Sequence, residues 1–143
     1  MIASERIASG SDETVRQAGR TAARIGMACT TLVALFLTFD TVLKVLKLGP
    51  AVEGTVALGY PANSVQVIGV IELVCLALYL TPRTSVLGAV LLTGYLGGAI
   101  ATHVRLANPL FTHVLFPIYV AALVWGGLYL RERRLRDLLP LRR

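Results

Sequence analysis

Four long apolar segments run along this chain, separated by short segments rich in glycine, proline or charge. They cover about residues 24–48, 64–80, 84–104 and 109–130. A helix of a soluble protein places polar residues along one face at a spacing of about 3.6 residues, and these segments mostly lack such a face. About 20 apolar residues of helix are enough to cross a bilayer. The pattern therefore predicts an all-α integral membrane protein with four membrane-spanning helices.

The connections between the predicted spans are short enough to determine how neighbouring helices run. A Gly-Pro pair at 49–50 ends the first span and opens a linker rich in glycine and proline. A Thr-Pro-Arg turn at 81–83 joins the second span to the third. Asn108 is a candidate N-cap for the fourth span, with Pro109 at its first helical position. Short connections favour antiparallel neighbours, so we expect an up-down four-helix bundle.

Glycines in the third and fourth spans predict close helix packing. Gly94 and Gly98 form a GxxxG motif, and Gly126 is followed directly by Gly127. Small residues allow helices to approach closely within a membrane, so we expect these glycines to pack the bundle. A GxxxG motif can equally bind a second copy of the chain, which leaves a homo-oligomer open.

Charge is scarce and unevenly placed, which determines the predicted orientation. Only 15% of the residues are charged, against roughly 25% in an average soluble domain. Eleven Lys and Arg residues fall on the side that holds both termini, and three, Lys44, Lys47 and Arg105, fall on the other. The positive-inside rule therefore predicts that both termini, with tails at 1–23 and 131–143, are cytoplasmic. The basic residues that give the net charge of +6 flank the predicted spans, so they indicate membrane topology. We therefore do not expect nucleic-acid binding.

Ionisable residues of the spans concentrate at the end of the bundle that is predicted to face outwards. At a rise of about 1.5 Å per residue, Asp40 and Glu72 lie roughly 12 Å inside the outer ends of their spans. Lys44 and His113 lie roughly 6 Å inside, and His103 lies close to the end of the third span. Ionisable groups within a membrane are costly, and they usually face the bundle interior, pair with one another and mark a functional site. We therefore predict that these five residues line one polar pocket in the outer half.

Most of the polar residues near this end of the bundle also have a purely structural interpretation. Asp40 and Lys44 are four residues apart, so they can form an intrahelical salt bridge that allows both to be buried. Arg105 can extend its charged end to the outer surface, and His103 can face water. Glu72 has no partner on its own helix, so either it is protonated or another span supplies a cation.

Pro117 predicts a bend in the fourth span beside this pocket. Proline has no N–H, so it cannot donate the backbone hydrogen bond that the His113 carbonyl would accept in a regular helix. Such a break is tolerated in a membrane where another donor satisfies the carbonyl. We expect a cavity that opens outwards, with His103 and His113 facing each other across a helical hairpin.

Several motifs resemble the DoxX-like family of small bacterial membrane proteins. They are FDTVLK with Asp40 and Lys44, GVIEL with Glu72, PRTSVLGAVLLTGYLGGAIATHVR with His103 and Arg105, and PLFTH with His113. The resemblance covers about residues 24–142 and implies four spans in the bacterial inner membrane. It implies little chemistry. The family takes its name from a subunit of a thiosulfate:quinone oxidoreductase, and some relatives are described as membrane partners in oxidative-stress complexes.

The leading functional hypothesis is acid–base or redox chemistry on a small lipophilic molecule such as a quinone. Carboxylates and imidazoles beside a hydrophobic cavity can donate and accept protons. No flavin or nicotinamide motif is present, so the electrons would come from a membrane or redox partner protein. Tyr95 and Arg105 are further candidates for contacting a bound cofactor. Disulfide exchange is disfavoured because the chain has no CxxC motif.

Two other functions remain open at this point. His103 and His113, with Asp40 and Glu72, make a ligand set that suits zinc or iron, although the neighbouring Lys44 and Arg105 would repel a cation. The chain can also be a non-enzymatic accessory subunit of a membrane complex. Its polar residues would then only hold the bundle together.

Overall fold

The computed structural model describes residues 2–132 and 135, with side chains from residue 16 onwards. Its elements are α1 (Ile2–Val45), α2 (Gly49–Ala57), α3 (Ser64–Leu80), α4 (Ser85–Arg105), a π-helical turn (Leu110–Val114) and α5 (Phe116–Arg131). The predicted all-α class is confirmed. Most of the predicted basic tail, residues 133–134 and 136–143, lies outside the described residues.

Three stretches of helix are long and apolar enough to cross a membrane. They are Arg16–Val45 within α1, Ser85–Arg105, and Leu110–Arg131, which combines the π-helical turn with α5. The apolar helix α3 is shorter, with 17 residues. Its length of about 25 Å falls slightly below the hydrocarbon thickness of about 30 Å. The chain therefore has the helices of a membrane protein.

The outer faces of these helices are apolar. Leu35 and Phe39 on α1 are 67% and 65% exposed, and Phe111 in the π-helical turn is 73% exposed. In water these side chains would form apolar patches of a kind that monomeric soluble proteins rarely expose. In a bilayer they contact lipid tails of the same polarity, which supports the membrane assignment.

The four longer helices each pack against two others. Helix α1 packs against α3 and α5, and α4 packs against the same two helices. Each helix contributes a fully buried side chain to the common core, namely Leu37, Tyr79, Leu92 and Val124. We call the end where α1 stops and α3 starts the α2 end, and the end with the turn at 81–84 the turn end.

Close helix contacts occur at glycines, although not at the predicted GxxxG motif. A Cβ on Gly26 of α1 would lie 2.8 Å from Leu130 Cβ of α5, and one on Gly127 would lie 2.8 Å from Thr30 Oγ1. A Cβ on Gly94 or Gly98 would meet no atom within 4 Å. The prediction that this motif packs the bundle is wrong, because both residues lie on an exposed face of α4.

Two segments that the sequence pattern left without an element are helical. Helix α1 starts at Ile2, so it includes nearly all of the predicted N-terminal tail at 1–23. This stretch has no proline, and the hydropathy pattern missed it because it lacks an apolar run. The predicted linker contains α2, which starts at the Gly-Pro pair with proline in its first turn. Proline favours the first turn of a helix, so this pair begins an element as well as ending one.

The start of the fourth span differs from the prediction. Asn108 does not cap a helix, and its side chain instead hydrogen-bonds His103 Nδ1 at 2.9 Å. The π-helical turn follows Pro109, the helix breaks at Leu115, and α5 begins with Pro117 in its first turn. The bend expected from Pro117 is present as this interruption, since proline is accommodated where no i−4 hydrogen bond is needed.

Candidate functional site

Asp40 and Lys44 lie one turn apart on α1, near the α2 end. Residues four apart share a helix face, and Lys44 Nζ donates a hydrogen bond to Asp40 Oδ2 at 2.5 Å. The predicted intrahelical salt bridge is therefore present. The Asp40 side chain is 33% exposed and that of Lys44 is 18% exposed, so Lys44 is the more deeply buried of the two.

Lys44 also connects α1 to two other helices. Its Nζ donates to Glu72 Oε2 of α3 at 2.9 Å and to the Tyr95 hydroxyl of α4 at 2.8 Å. The Tyr95 hydroxyl in turn donates to Glu72 Oε2 at 2.8 Å. An ammonium has three N–H donors, so all three of Lys44 are used. We call Asp40, Lys44, Glu72 and Tyr95 the polar cluster.

The two oxygens of Glu72 have different surroundings. Glu72 is 0% exposed, and its Oε2 accepts hydrogen bonds from both Lys44 and Tyr95. Its Oε1 is buried without a hydrogen-bond partner. A buried acceptor without a partner costs about 1–3 kcal/mol. The polar cluster also sets two carboxyl groups against one ammonium. A hydroxyl that donates a hydrogen bond to Oε1 would satisfy the acceptor, whereas a proton on Glu72 would remove the excess negative charge.

Gly69 allows α1 and α3 to come close enough for this contact. A Cβ at Gly69 would lie 2.7 Å from Lys44 Cβ and 3.0 Å from the Val45 backbone nitrogen. Gly69 precedes Glu72 by three residues, so the two share one face of α3. The absence of a side chain at this position therefore brings the Lys44 ammonium within reach of the Glu72 carboxylate.

A cavity of about 430 Å³ borders the polar cluster. All four cluster residues line it, and four further polar side chains do so too, namely Thr55, Tyr60, Thr102 and His103. The rest of its wall is mostly apolar, with Phe36 of α1 and Phe116 of α5 packed edge to face at 5.4 Å. Binding sites for small molecules are typically of this size, largely apolar, with a few converging polar groups.

The two histidines face each other beside the polar cluster. The ring centroids of His103 and His113 are 5.5 Å apart, as expected across the hairpin of α4 and the π-helical turn. Asn108 hydrogen-bonds the Nδ1 of His103, and the Thr112 hydroxyl lies 2.8 Å from the Nδ1 of His113. Both rings line a second cavity, of about 520 Å³, whose wall also includes Asp40 and Lys44.

The structure thus brings three of the five predicted site residues into one hydrogen-bonded group. His103 borders both cavities, and the exposed His113 borders only the 520 Å³ cavity. Glu72 is fully buried, His113 is exposed, and His103 is half-buried like the other three residues of the polar cluster. The predicted single pocket is therefore two adjoining cavities that share Asp40, Lys44 and His103.

A model described as the DoxX-like family matches residues 28–127 of the chain. This match covers more than half of the sequence and includes both cavities. The chain belongs to the DoxX-like family. Comparison with curated proteins and with solved structures gave no match.

Arg105 of this DoxX-like protein lies apart from the polar cluster. Its guanidinium donates to the Leu58 carbonyl at 2.7 Å, at the C-terminal end of α2. Helix C-terminal carbonyls lack partners within the helix, so a cation there satisfies one of them. Of the two residues proposed to contact a cofactor, Tyr95 borders the 430 Å³ cavity and Arg105 holds α2 in place.

The DoxX-like polar cluster is poorly suited to a metal ion. Among the residues that the structure describes, no three His, Cys, Asp or Glu side chains converge as a metal site requires. Lys44 places its ammonium between the carboxylates of Asp40 and Glu72, where a metal ion would otherwise bind both. The geometry therefore does not favour the His and carboxylate metal site.

The sequence pattern missed the part of this site that α2 supplies. Thr55 and Leu58 line both cavities. The available signal was the proline that follows Gly49, since proline is common at the first helical position. The sequence pattern did not indicate Tyr60 either. Tyr60 follows α2, and its hydroxyl lies 2.7 Å from Thr102 Oγ1 of α4.

Proposed function

We propose that this DoxX-like protein binds a small lipophilic molecule with a hydroxyl or carbonyl group, a quinol or quinone above all. The observation that supports the proposal is that Glu72 lines a mostly apolar cavity and that its buried Oε1 is an acceptor without a partner. A ligand hydroxyl at Oε1 would satisfy the carboxylate, while the ring of the ligand contacts the apolar wall.

The proposed chemistry is reversible oxidation of the quinol to the quinone. Oxidation releases two electrons and two protons. The electrons pass to a redox-active partner protein, one proton passes to Glu72 Oε1, and the second passes to His103, which borders the same cavity. His103 and His113 then connect the cavity to the exposed α2 end, since imidazole exchanges protons near neutral pH.

We further propose that the protein is an up-down bundle of four spans in the bacterial inner membrane. The shorter helix α3 then crosses the membrane together with the three longer stretches. The pairing of α1 and α4 with both α3 and α5 supports a closed arrangement of the four helices. The count of eleven Lys and Arg residues against three supports cytoplasmic termini. In this topology the α2 end and both cavities lie in the outer half.

A cysteine on α2 should be labelled from outside the cell. We expect a membrane-impermeant maleimide to react with Glu53→Cys in intact cells, after Cys29 and Cys75 have been replaced by serine. The matched control is Arg83→Cys at the turn end, which should react only after the membrane is permeabilised. Labelling of Arg83→Cys but not of Glu53→Cys in intact cells would show the opposite orientation.

Glu72→Gln tests the ligand chemistry. Oε2 accepts two hydrogen bonds, so the amide oxygen of the glutamine should take this place and put its NH₂ group where Oε1 was. The free position then changes from an acceptor to a donor. We expect binding of decyl-benzoquinol to weaken about tenfold and binding of the corresponding quinone to be retained or strengthened.

The measurement is saturable quenching of Trp125, the chain's single tryptophan, in nanodiscs. Glu53→Gln is the matched control, because Glu53 is exposed and lines neither cavity. It should leave both affinities unchanged. The proposal fails if the wild-type protein binds neither compound, or if Glu72→Gln leaves the ratio of the two affinities unchanged.

A non-enzymatic accessory subunit is the second candidate function. It is favoured by one observation, namely that all three donors of Lys44 are already used within the chain. A cluster satisfied in this way can hold α1, α3 and α4 together without any ligand. Failure of the wild-type protein to bind the quinol or the quinone would support this function.

A further inference from the structure

Three glycines on α4 have no packing partner within the described part of the chain. Gly94, Gly97 and Gly98 are exposed, and a Cβ on any of them would meet no atom within 4 Å. Glycine is unfavourable in a helix interior compared with alanine. The glycines at helix crossings, such as Gly26 and Gly127, allow close contact, whereas these three leave open space beside α4.

Two of these glycines border the 430 Å³ cavity, and the third does not. Gly94 and Gly98 line the cavity together with Ile68 and Ile71 of α3. Ile71 is 50% exposed, so the cavity reaches the lateral surface of the helix bundle at this place. We call these four residues the α3–α4 seam. Glu72 directly follows Ile71 in sequence, and it lines the same cavity.

The spacing of α3 and α4 differs between the turn end and the seam. At the turn end the two helices touch through their backbones, since a Cβ on Gly88 would lie 2.1 Å from the Tyr79 nitrogen. Beside Gly94 and Gly98 the space is open. The opening therefore lies next to the polar cluster, where Tyr95 follows Gly94 on α4.

We propose that the α3–α4 seam is a lateral portal through which the ligand enters the cavity from the bilayer. The ligand's apolar tail lies in the seam against Gly94 and Gly98, and its polar ring reaches Glu72 Oε1. This inference rests on the proposed function and narrows its ligand to a quinol or quinone with an apolar tail. Glu72, which lines the same cavity, is fully buried and has an unpartnered Oε1, and this is the independent indication of a ligand.

A second copy of the chain is the competing occupant of this face. A helix from another copy would cover the exposed face of α4, including Gly97, so all three glycines would contribute to the contact. A portal into the cavity depends on Gly94 and Gly98 only, because Gly97 does not line the cavity. Gly97 is therefore a matched control on the same helix and at the same depth.

The test compares Gly98→Leu and Gly94→Leu with Gly97→Leu in nanodiscs. A Cβ added at each glycine meets no atom within 4 Å, so a larger side chain can leave the helix without a clash at Cβ. Gly98→Ala serves as a milder variant, and thermal unfolding verifies that each variant is folded. Binding of decyl-benzoquinol and of the same quinol without its decyl chain is measured by quenching of Trp125. Size-exclusion chromatography with light scattering gives the oligomeric state.

We expect Gly98→Leu and Gly94→Leu to raise the Kd for decyl-benzoquinol at least about tenfold, with a smaller effect on the tail-free quinol. Gly97→Leu should change neither value by more than about twofold. Equal affinity of wild type and Gly98→Leu for the decyl compound would overturn the portal and leave the proposed function intact. Dissociation of an oligomer by all three leucine variants would likewise overturn the portal and leave the proposed function intact. Binding of neither quinol to the wild-type protein would overturn the proposed function and the portal together.

Discussion

Replacing Lys44 with methionine is expected to lower the free energy of unfolding by about 3–5 kcal/mol. Methionine retains the length of the side chain but removes the ammonium that contacts Asp40, Glu72 and Tyr95. Glu72 is fully buried, so its carboxylate would remain without a counter-charge. The measurement is reversible unfolding in mixed micelles, followed by helical circular dichroism.

The matched control for this change is Lys47→Met, three residues further along the chain. Lys47 is exposed and makes no salt bridge in the described residues, so its replacement should cost less than about 0.5 kcal/mol. Adding Glu72→Gln to Lys44→Met should recover most of the lost stability, because the buried charge is then removed as well. Equal stability of the Lys44 and Lys47 variants would contradict the central role of Lys44.

Gly88→Ala is expected to destabilise the protein by about 3 kcal/mol or more, at the upper end of overpacking effects in protein cores. The added Cβ would lie 2.1 Å from the Tyr79 nitrogen and 2.4 Å from the Tyr79 Cα. Both atoms belong to the backbone, so the clash is relieved only by moving α3 away from α4. The same unfolding assay measures the loss.

Gly94→Ala is the control for this second prediction, since it makes the same substitution on the same helix. Its Cβ would meet no atom within 4 Å, so alanine should stabilise the helix by about 0.5–1 kcal/mol through propensity alone. The two variants thus differ in the sign of their effect. Similar stabilities would mean that α3 and α4 are not in backbone contact at the turn end.

The polar cluster explains why the ionisable residues of this chain are tolerated in apolar helices. A lone carboxylate at the position of Glu72 would be costly, and Lys44 and Tyr95 offset that cost through two hydrogen bonds to Oε2. Among the buried polar atoms of the cluster, Glu72 Oε1 is the one without a partner. This deficit belongs to a residue that lines the 430 Å³ cavity, which is consistent with the proposed function.

The sequence by itself determined the features that depend on local pattern. Helix α3 occupies residues 64–80, as the apolar run predicts, and α4 differs from its predicted bounds by one residue at each end. A helix that crosses a bilayer needs apolar side chains along its whole length, so such runs are visible without a fold. The Asp40–Lys44 pair follows from a spacing of four residues, since one turn of helix brings the two side chains together.

Only the tertiary structure decided which distant residues meet. Lys44 contacts Glu72, 28 positions away, and Tyr95, 51 positions away, and the contact with Glu72 requires Gly69 to bring α1 close to α3. The count of residues along each helix predicted that His113 lies at the same depth as these residues. In the structure its side chain points in a different direction around the helix axis and lines the adjoining cavity. A count of residues gives height along a helix, whereas the packing of helices determines which faces turn inwards. The open seam beside Gly94 and Gly98 arises from that packing, so the same motif that predicted contact forms an opening.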